Sequence, residues 1–324
     1  MKRNPGVLIA LLMLAVASLL STEVSGRADG LASLVGVAVE DVETNPAATS
    51  FEKAMASRVR HGVAMNIFYE ERPRRTAVSS STLFTASRQL ILTSAHNFSS
   101  LEERLKTKQN IPAAIRDLLR TYGSAPENPA AVFFGTHPTM DLQPTEYKIV
   151  DVVFHPYYVF NLPSNPHNLK FDIAVALLDR PVIDAEPLEL SRTAPEPGML
   201  VGAEGYGKTS DIAPASMDLR VAEMETGTDF YHSTPSQAPY VIVLKGRADR
   251  AICKMDSGGA VVNESLEVVG LLTALIRPGD LRCRADALAT RVDAHLAFIE
   301  AAVEALAPGD RVNYHKAVPA EIDR

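Results

Sequence analysis

From Val63 onward the chain is cut into short runs of β-forming residues. "VAMNIF", "STLFTA" and "QLILTSA" come first. "AAVFFG", "EYKIVDVVFH", "DIAVALL", "MLVGAEGYG", "YVIVLKG", "GAVVN" and "EVVGLLTAL" follow after an interruption. Polar or Pro- and Gly-containing breaks separate most of them. Many short strands with few helices restrict the fold to an all-β barrel or sandwich. With 324 residues and 46% hydrophobic side chains, the chain has material for a large core.

Two segments depart from this pattern. "SSLEERLKTKQNIPAAIRDLLRTYG" (Ser99 to Gly123) reads as helical, with Ser100 and Glu103 suited to a capping box and Pro112 dividing it into two pieces. "VDAHLAFIEAAVEALA" (Val292 to Ala307) carries apolar residues at helical spacing and predicts one amphipathic helix packed on the body. The polar tail, 308–324, is expected to be loose.

The N-terminus reads as a targeting signal. Lys2 and Arg3 precede "VLIALLMLAVASLL" (Val7 to Leu20), which is shorter than the ~20 residues that span a bilayer. Small residues at Ala15-Val16-Ala17 and Val24-Ser25-Gly26 offer cleavage sites, so 1–26 is expected to be a signal peptide. The alternative is an uncleaved anchor. No second apolar run of spanning length follows, which predicts a secreted or periplasmic product without stable membrane association. Residues 27–58 are weakly patterned and read as a pro-segment or N-terminal arm, with the folded domain over 59–307. The net charge of −7 argues against a general nucleic-acid binder.

Cys253 and Cys283 are the only cysteines. In an exported chain, a lone pair is most simply a disulfide. No Cys-x-x-Cys and no His-Glu-x-x-His occurs, so a zinc site is unsupported. "GAEGYG" (Gly202 to Gly207) lacks the glycine spacing of a dinucleotide site. No metal or cofactor is expected.

"ICKMDSGGAVV" (Ile252 to Val262) looks like a turn, but a serine hydroxyl becomes a nucleophile when a base takes its proton and an acid orients that base. "LILTSAHNF" places His96 after an apolar strand, and "KFDIAVALLDRPV" places Asp172 at the head of another. Taken in order, His96, Asp172 and Ser257 sit in motifs that resemble those of one family. "LTSAHNF" resembles the Leu-Thr-Ala-Ala-His-Cys motif of the chymotrypsin-like (trypsin-like) serine proteases. "FDIAVALL" resembles their Asp-Ile-Ala-Leu-Leu motif, and "CKMDSGGAVV" their Cys-x-Gly-Asp-Ser-Gly-Gly-Pro motif. "VVFHPYY", "VGAEGYGKT" and "GLLTAL" are similar to further family strands, so the resemblance covers about residues 60 to 306.

The resemblance implies two six-stranded antiparallel β-barrels, a C-terminal helix and a helical insertion in the first barrel. It implies an endopeptidase acting on protein or peptide substrates. Ser257 would be the nucleophile, His96 the base and Asp172 its orienting acid. The Met255 and Ser257 N–H groups would form the oxyanion hole, and Asp256 matches the acid that in many members pairs with a freed N-terminal amine. The family spacing also joins Cys253 to Cys283. Counting back from Ser257 puts Ala251 at the pocket floor beside Ile252, and the Thr273 to Leu275 strand at a pocket wall, which implies apolar rather than Lys or Arg specificity.

The chain departs from the family at Met255 (glycine in the family), Ala260 (proline), Asn97 (cysteine) and Tyr206 (tryptophan). It has no Ile-Val-Gly-Gly start, and "SRVRHGVA" (Ser57 to Ala64) is the nearest, poorly matching, processing site. A catalytically silent binding protein on the same fold is the rival reading. A lipase-like α/β-hydrolase lacks its Gly-x-Ser-x-Gly elbow here and has a different triad order.

Overall fold

The computed structural model describes residues 36–314, apart from 72–73, 106–108, 137–144, 161–167, 210–217, 228–238, 248–249, 277–282 and 285. The expected signal peptide and residues 315–324 lie outside the described residues. Among the described residues no helix is long and apolar enough to cross a membrane.

The chain begins with β1 (Val37–Ala38) and helix α1 (Ser50–Gly62). Thr49 caps α1. Its Oγ1 accepts the Glu52 N–H at 3.1 Å, and Glu52 returns a carboxylate to the Thr49 N–H at 3.0 Å. The 58/59 boundary drawn from sequence falls inside α1, as does most of "SRVRHGVA".

The first barrel is closed by β2 (Val63–Glu71), β3 (Arg74–Leu83), β4 (Leu90–Thr93), β5 (Ala130–Phe134), β6 (Glu146–Phe154) and β7 (Ala174–Leu178), in the order β2-β3-β4-β7-β6-β5. Period-two alternation sorts its side chains. Met65, Ile67 and Tyr69 of β2 join one buried cluster, while Ala64 and Phe68 join the other. Between β4 and β5 lie a 3₁₀ helix (Ala95–Arg104) and helix α2 (Ile111–Tyr122). Ile111, Ile115 and Leu119 form the buried stripe of α2 and extend the Phe68 cluster. Pro112 stands in the first turn of α2, where its missing N–H costs nothing. Ser100, expected to open a capping box with Glu103, does not stand at a helix start. The 3₁₀ helix starts earlier, directly after Ser94, so Ser100 is interior and its hydroxyl donates back to the Asn97 carbonyl.

A short helix α3 (Asn168–Phe171) precedes β7. The second barrel contains β8 (Leu200–Gly205), β9 (Arg220–Gly227), β10 (Val241–Gly246), β12 (Ala260–Asn263), β13 (Val268–Leu275) and β15 (Asp286–Arg291). Its strands run β8-β9-β10-β15-β13-β12, closed by β12 on β8. A two-residue ribbon stands apart, β11 (Ile252–Cys253) against β14 (Cys283–Arg284). Every ladder in both barrels is antiparallel. Helix α4 (Leu296–Leu306) closes the fold, as its apolar spacing predicts.

Two terminal segments cross between the barrels. At the N-terminus, β1 pairs with β9, and α1 packs on β8 and β9 before the chain enters the first barrel. At the C-terminus, α4 leaves the second barrel and packs on β6 and β7. The start of the tail, expected to be loose, is docked as well. Val312 bridges Thr85, the Asn313 N–H donates to the Phe84 carbonyl, and Asp310 holds the Ser87 hydroxyl and N–H.

Candidate active site

His96 follows β4 directly, in the first turn of the 3₁₀ helix. Two bonds tie it to Asp172. The His96 backbone N–H donates to Oδ1 at 2.8 Å, and Nδ1 meets Oδ2 at 2.6 Å. Asp172 sits between α3 and β7 and is 3% exposed. The segment before it is anchored to the second barrel, because Thr290 Oγ1 donates to the Leu169 carbonyl and His295 Nε2 to the Lys170 carbonyl. Burial alone lowers the His96 pKa, but the charge of Asp172 and its hydrogen bond outweigh that and hold the imidazole above its ordinary value of 6.5.

Ser257 occupies a tight loop between β11 and β12. Met255 has φ 82° and Gly258 φ 84°, so the loop passes twice through the left-handed region. At Gly258 a Cβ would strike the Ser80 carbonyl and Thr93 Oγ1, which only glycine avoids. Within the same loop, the Asp256 carboxylate accepts the Gly207 and Cys253 N–H groups, each at 2.8 Å. Burial lifts its pKa to about 6, against those bonds and the charge of Arg220. Among the described residues, neither the Met255 N–H nor the Ser257 N–H donates to a protein acceptor, and Ser257 Oγ makes no hydrogen bond. Ser257, Met255 and His96 line one open cleft of about 470 Å³. Among the described residues no group of three His, Cys, Asp or Glu is placed to hold a metal.

Residues 67–299 match the family described as Trypsin. The chain belongs to the trypsin family. Among solved structures, mouse neuropsin, a serine protease expressed in the limbic system of the brain, is similar to it with a TM-score of 0.52 and 18% identity, covering 73% of this chain and 92% of that one. Human heparin binding protein is similar with a TM-score of 0.54 and 16% identity, covering 78% and 96%. At this identity the likeness concerns the trypsin fold. No curated protein sequence matches the chain.

Measured against the trypsin-family motifs, three of the four expected pocket residues, Ile252, Thr273 and Leu275, line the cleft. Ala251 does not. It faces a small separate cavity with Gly36, Glu204, Arg220 and Asp256, which shares only Ile252 with the cleft. Cys253 and Cys283 are bridged and are also cross-strand partners in the β11–β14 ribbon. The Arg250 guanidinium, one residue before Ala251, donates to Glu52 at 2.6 Å and 2.9 Å. Sequence reading missed Lys254, an exposed cation lining the cleft, and the polar side chains packed behind Ser257. It also missed Glu204, whose two carboxylate oxygens are buried with no hydrogen-bond partner among the described residues and whose pKa burial raises far above the usual range.

Proposed function

We propose that this trypsin-family protein is an exported serine endopeptidase. The observation that carries this is the doubly bonded His96–Asp172 pair opening on the same cleft as Ser257. In the proposed cycle, Ser257 Oγ attacks the substrate carbonyl while His96 Nε2 takes its proton. Asp172 keeps the His96 proton on Nδ1 and stabilises the imidazolium that forms. The Met255 and Ser257 N–H groups receive the oxyanion. His96 returns the proton to the leaving amine, and water then attacks the acyl-enzyme by the same path in reverse. Labelling by a fluorophosphonate probe tests this, because only an activated serine reacts. The rival, a silent binding protein, draws support from Met255 at the glycine position and from Ser257 Oγ without a bond to His96. A wild-type protein that resists the probe would establish the rival.

Activity requires neutral His96. Its raised pKa means that kcat/KM should rise with pH through a proton loss with a midpoint above 6.5, and collapse below it as the imidazole charges. Asp256, near 6, titrates on the acid side of that limb. A pH profile of peptide hydrolysis showing a midpoint below 6 would contradict the assigned base.

Specificity should favour apolar side chains before the scissile bond. Ile252, Leu272 and Leu275 are apolar, no acid is among the described residues that line the cleft, and Lys254 repels cations there. A buried Lys or Arg of the substrate would be left without a partner. Profiling on a mixed peptide library should return apolar residues, and dominant cleavage after Lys or Arg would overturn the assignment.

A further inference from the structure

We propose that Asn97 is a positioning residue that holds the nucleophile loop against the base loop; the inference rests on the serine-endopeptidase reading above. Asn97 follows His96 and is 8% exposed. Its Nδ2 donates one hydrogen to Thr93 Oγ1 at 3.0 Å and the other to the Ser257 carbonyl at 3.1 Å. Thr93 Oγ1 gives its own hydrogen to the Ser80 carbonyl at 2.7 Å. The Ser80 N–H donates to the same Ser257 carbonyl at 2.9 Å. These four bonds form a closed circuit. Three members belong to the first barrel or its 3₁₀ helix, and the fourth is the serine loop leading into the second barrel.

The circuit fixes the amide orientation. The Thr93 hydroxyl proton is committed to Ser80, so that oxygen must accept from Asn97. Turned over, the Asn97 carbonyl oxygen would face the Ser257 carbonyl, acceptor against acceptor. Gly258 shows how tightly the loop is seated, since a Cβ there would also strike Asn97 Nδ2 at 2.8 Å. The clamped carbonyl is one bond from the Ser257 Cα. Its position therefore sets where Ser257 Oγ and the Ser257 N–H point. Asn97 touches no reacting atom and acts through the Ser257 backbone.

The test uses Asn97→Asp and Asn97→Ala in the full-length protein. Four quantities are measured: the rate of fluorophosphonate labelling, kcat and KM on a peptide, thermal melting, and hydrogen exchange of peptides covering Ser80 and 252–262. Asn97→Asp keeps the shape but turns a lone pair toward the Ser257 carbonyl. It should label at least as slowly as Asn97→Ala, with both roughly ten- to a hundredfold below wild type. kcat should fall with KM unchanged, and exchange at Ser80 should quicken. A purely packing role gives the opposite order, with Asn97→Asp near wild type and Asn97→Ala impaired. Labelling of Asn97→Asp at the wild-type rate, with unchanged exchange, overturns the proposal. Should these variants melt below the assay temperature, Thr93→Val removes the orienting partner and gives the same readouts, slower labelling supporting the proposal and wild-type labelling overturning it. If wild type itself resists the probe, the endopeptidase reading fails separately, and Ser80 exchange alone decides the clamp.

Discussion

Ser257→Ala should abolish fluorophosphonate labelling and lower kcat for peptide hydrolysis by about six orders of magnitude. His96→Ala should be nearly as severe, because the nucleophile and its base act as one unit and losing either disables both. Asp172→Asn should lower kcat by about four orders of magnitude for a different reason. Oδ2 of Asp172 meets His96 Nδ1 at 2.6 Å. An amide nitrogen there would donate to Nδ1 and force the ring proton to Nε2, which then cannot accept from Ser257. Steady-state kinetics on a peptide identified by library profiling would check all three. Residual labelling of Ser257→Ala would show that another serine is the nucleophile.

Breaking the ion pair between Glu52 and Arg250 should be the most destabilising single change outside the hydrophobic core. Arg250 is 4% exposed and Glu52 is fully buried. Glu52 Oε1 also accepts the Glu223 N–H, and Arg250 also donates to the Ala47 carbonyl. Glu52→Ala removes the carboxylate that takes two bonds from a buried guanidinium, which costs about 3–5 kcal/mol, and removes one half of the Thr49 capping box. Replacing both residues together, Glu52→Leu with Arg250→Met, should recover most of the loss, because no charge is then stranded. Urea denaturation of the three proteins measures this. A loss below about 1 kcal/mol in Glu52→Ala would mean that the pair is solvated in solution.

The first barrel can be read from sequence because its strands are rich in Val, Ile, Leu and Phe, as in "QLILTSA" and "EYKIVDVVFH". The second is less legible. β9 reads "RVAEMETG" and β15 reads "DALATR", in which charged residues and alanine, weak strand formers, hide the alternation. Both strands are held by neighbours on each side, so pairing overrides propensity. Helix α1 lies in the stretch that reads as weakly patterned; its Thr49-x-x-Glu52 capping pair is short and has no clear apolar stripe beside it. At the candidate site, His96, Asp172 and Ser257 stand out in the sequence because the proposed chemistry demands those residue types next to recognisable strands. Ala251, chosen by counting alone, lines a different cavity from the cleft of Ile252, Thr273 and Leu275, since the distance along the chain does not say which cavity a residue faces. Asn97 stands out only as a departure from the family's cysteine, and Glu204 and Arg220 carry no local signal; the surroundings of all three come largely from strands distant in sequence.

The crossed terminal segments govern the order in which this protein is completed. Synthesis delivers β1 and α1 first, yet the strands that receive them, β8 and β9, emerge only after the whole first barrel. The first barrel in turn lacks its cover until α4 and residues 310–314 have been made. Neither half has all its partners while the chain is growing, so folding is a post-synthetic event dominated by long-range contacts, the kind that form slowly. The same arrangement works in reverse on the finished molecule. A protease that nicks one loop frees no separable piece, because each barrel is still tied down by a segment belonging to the other end of the chain.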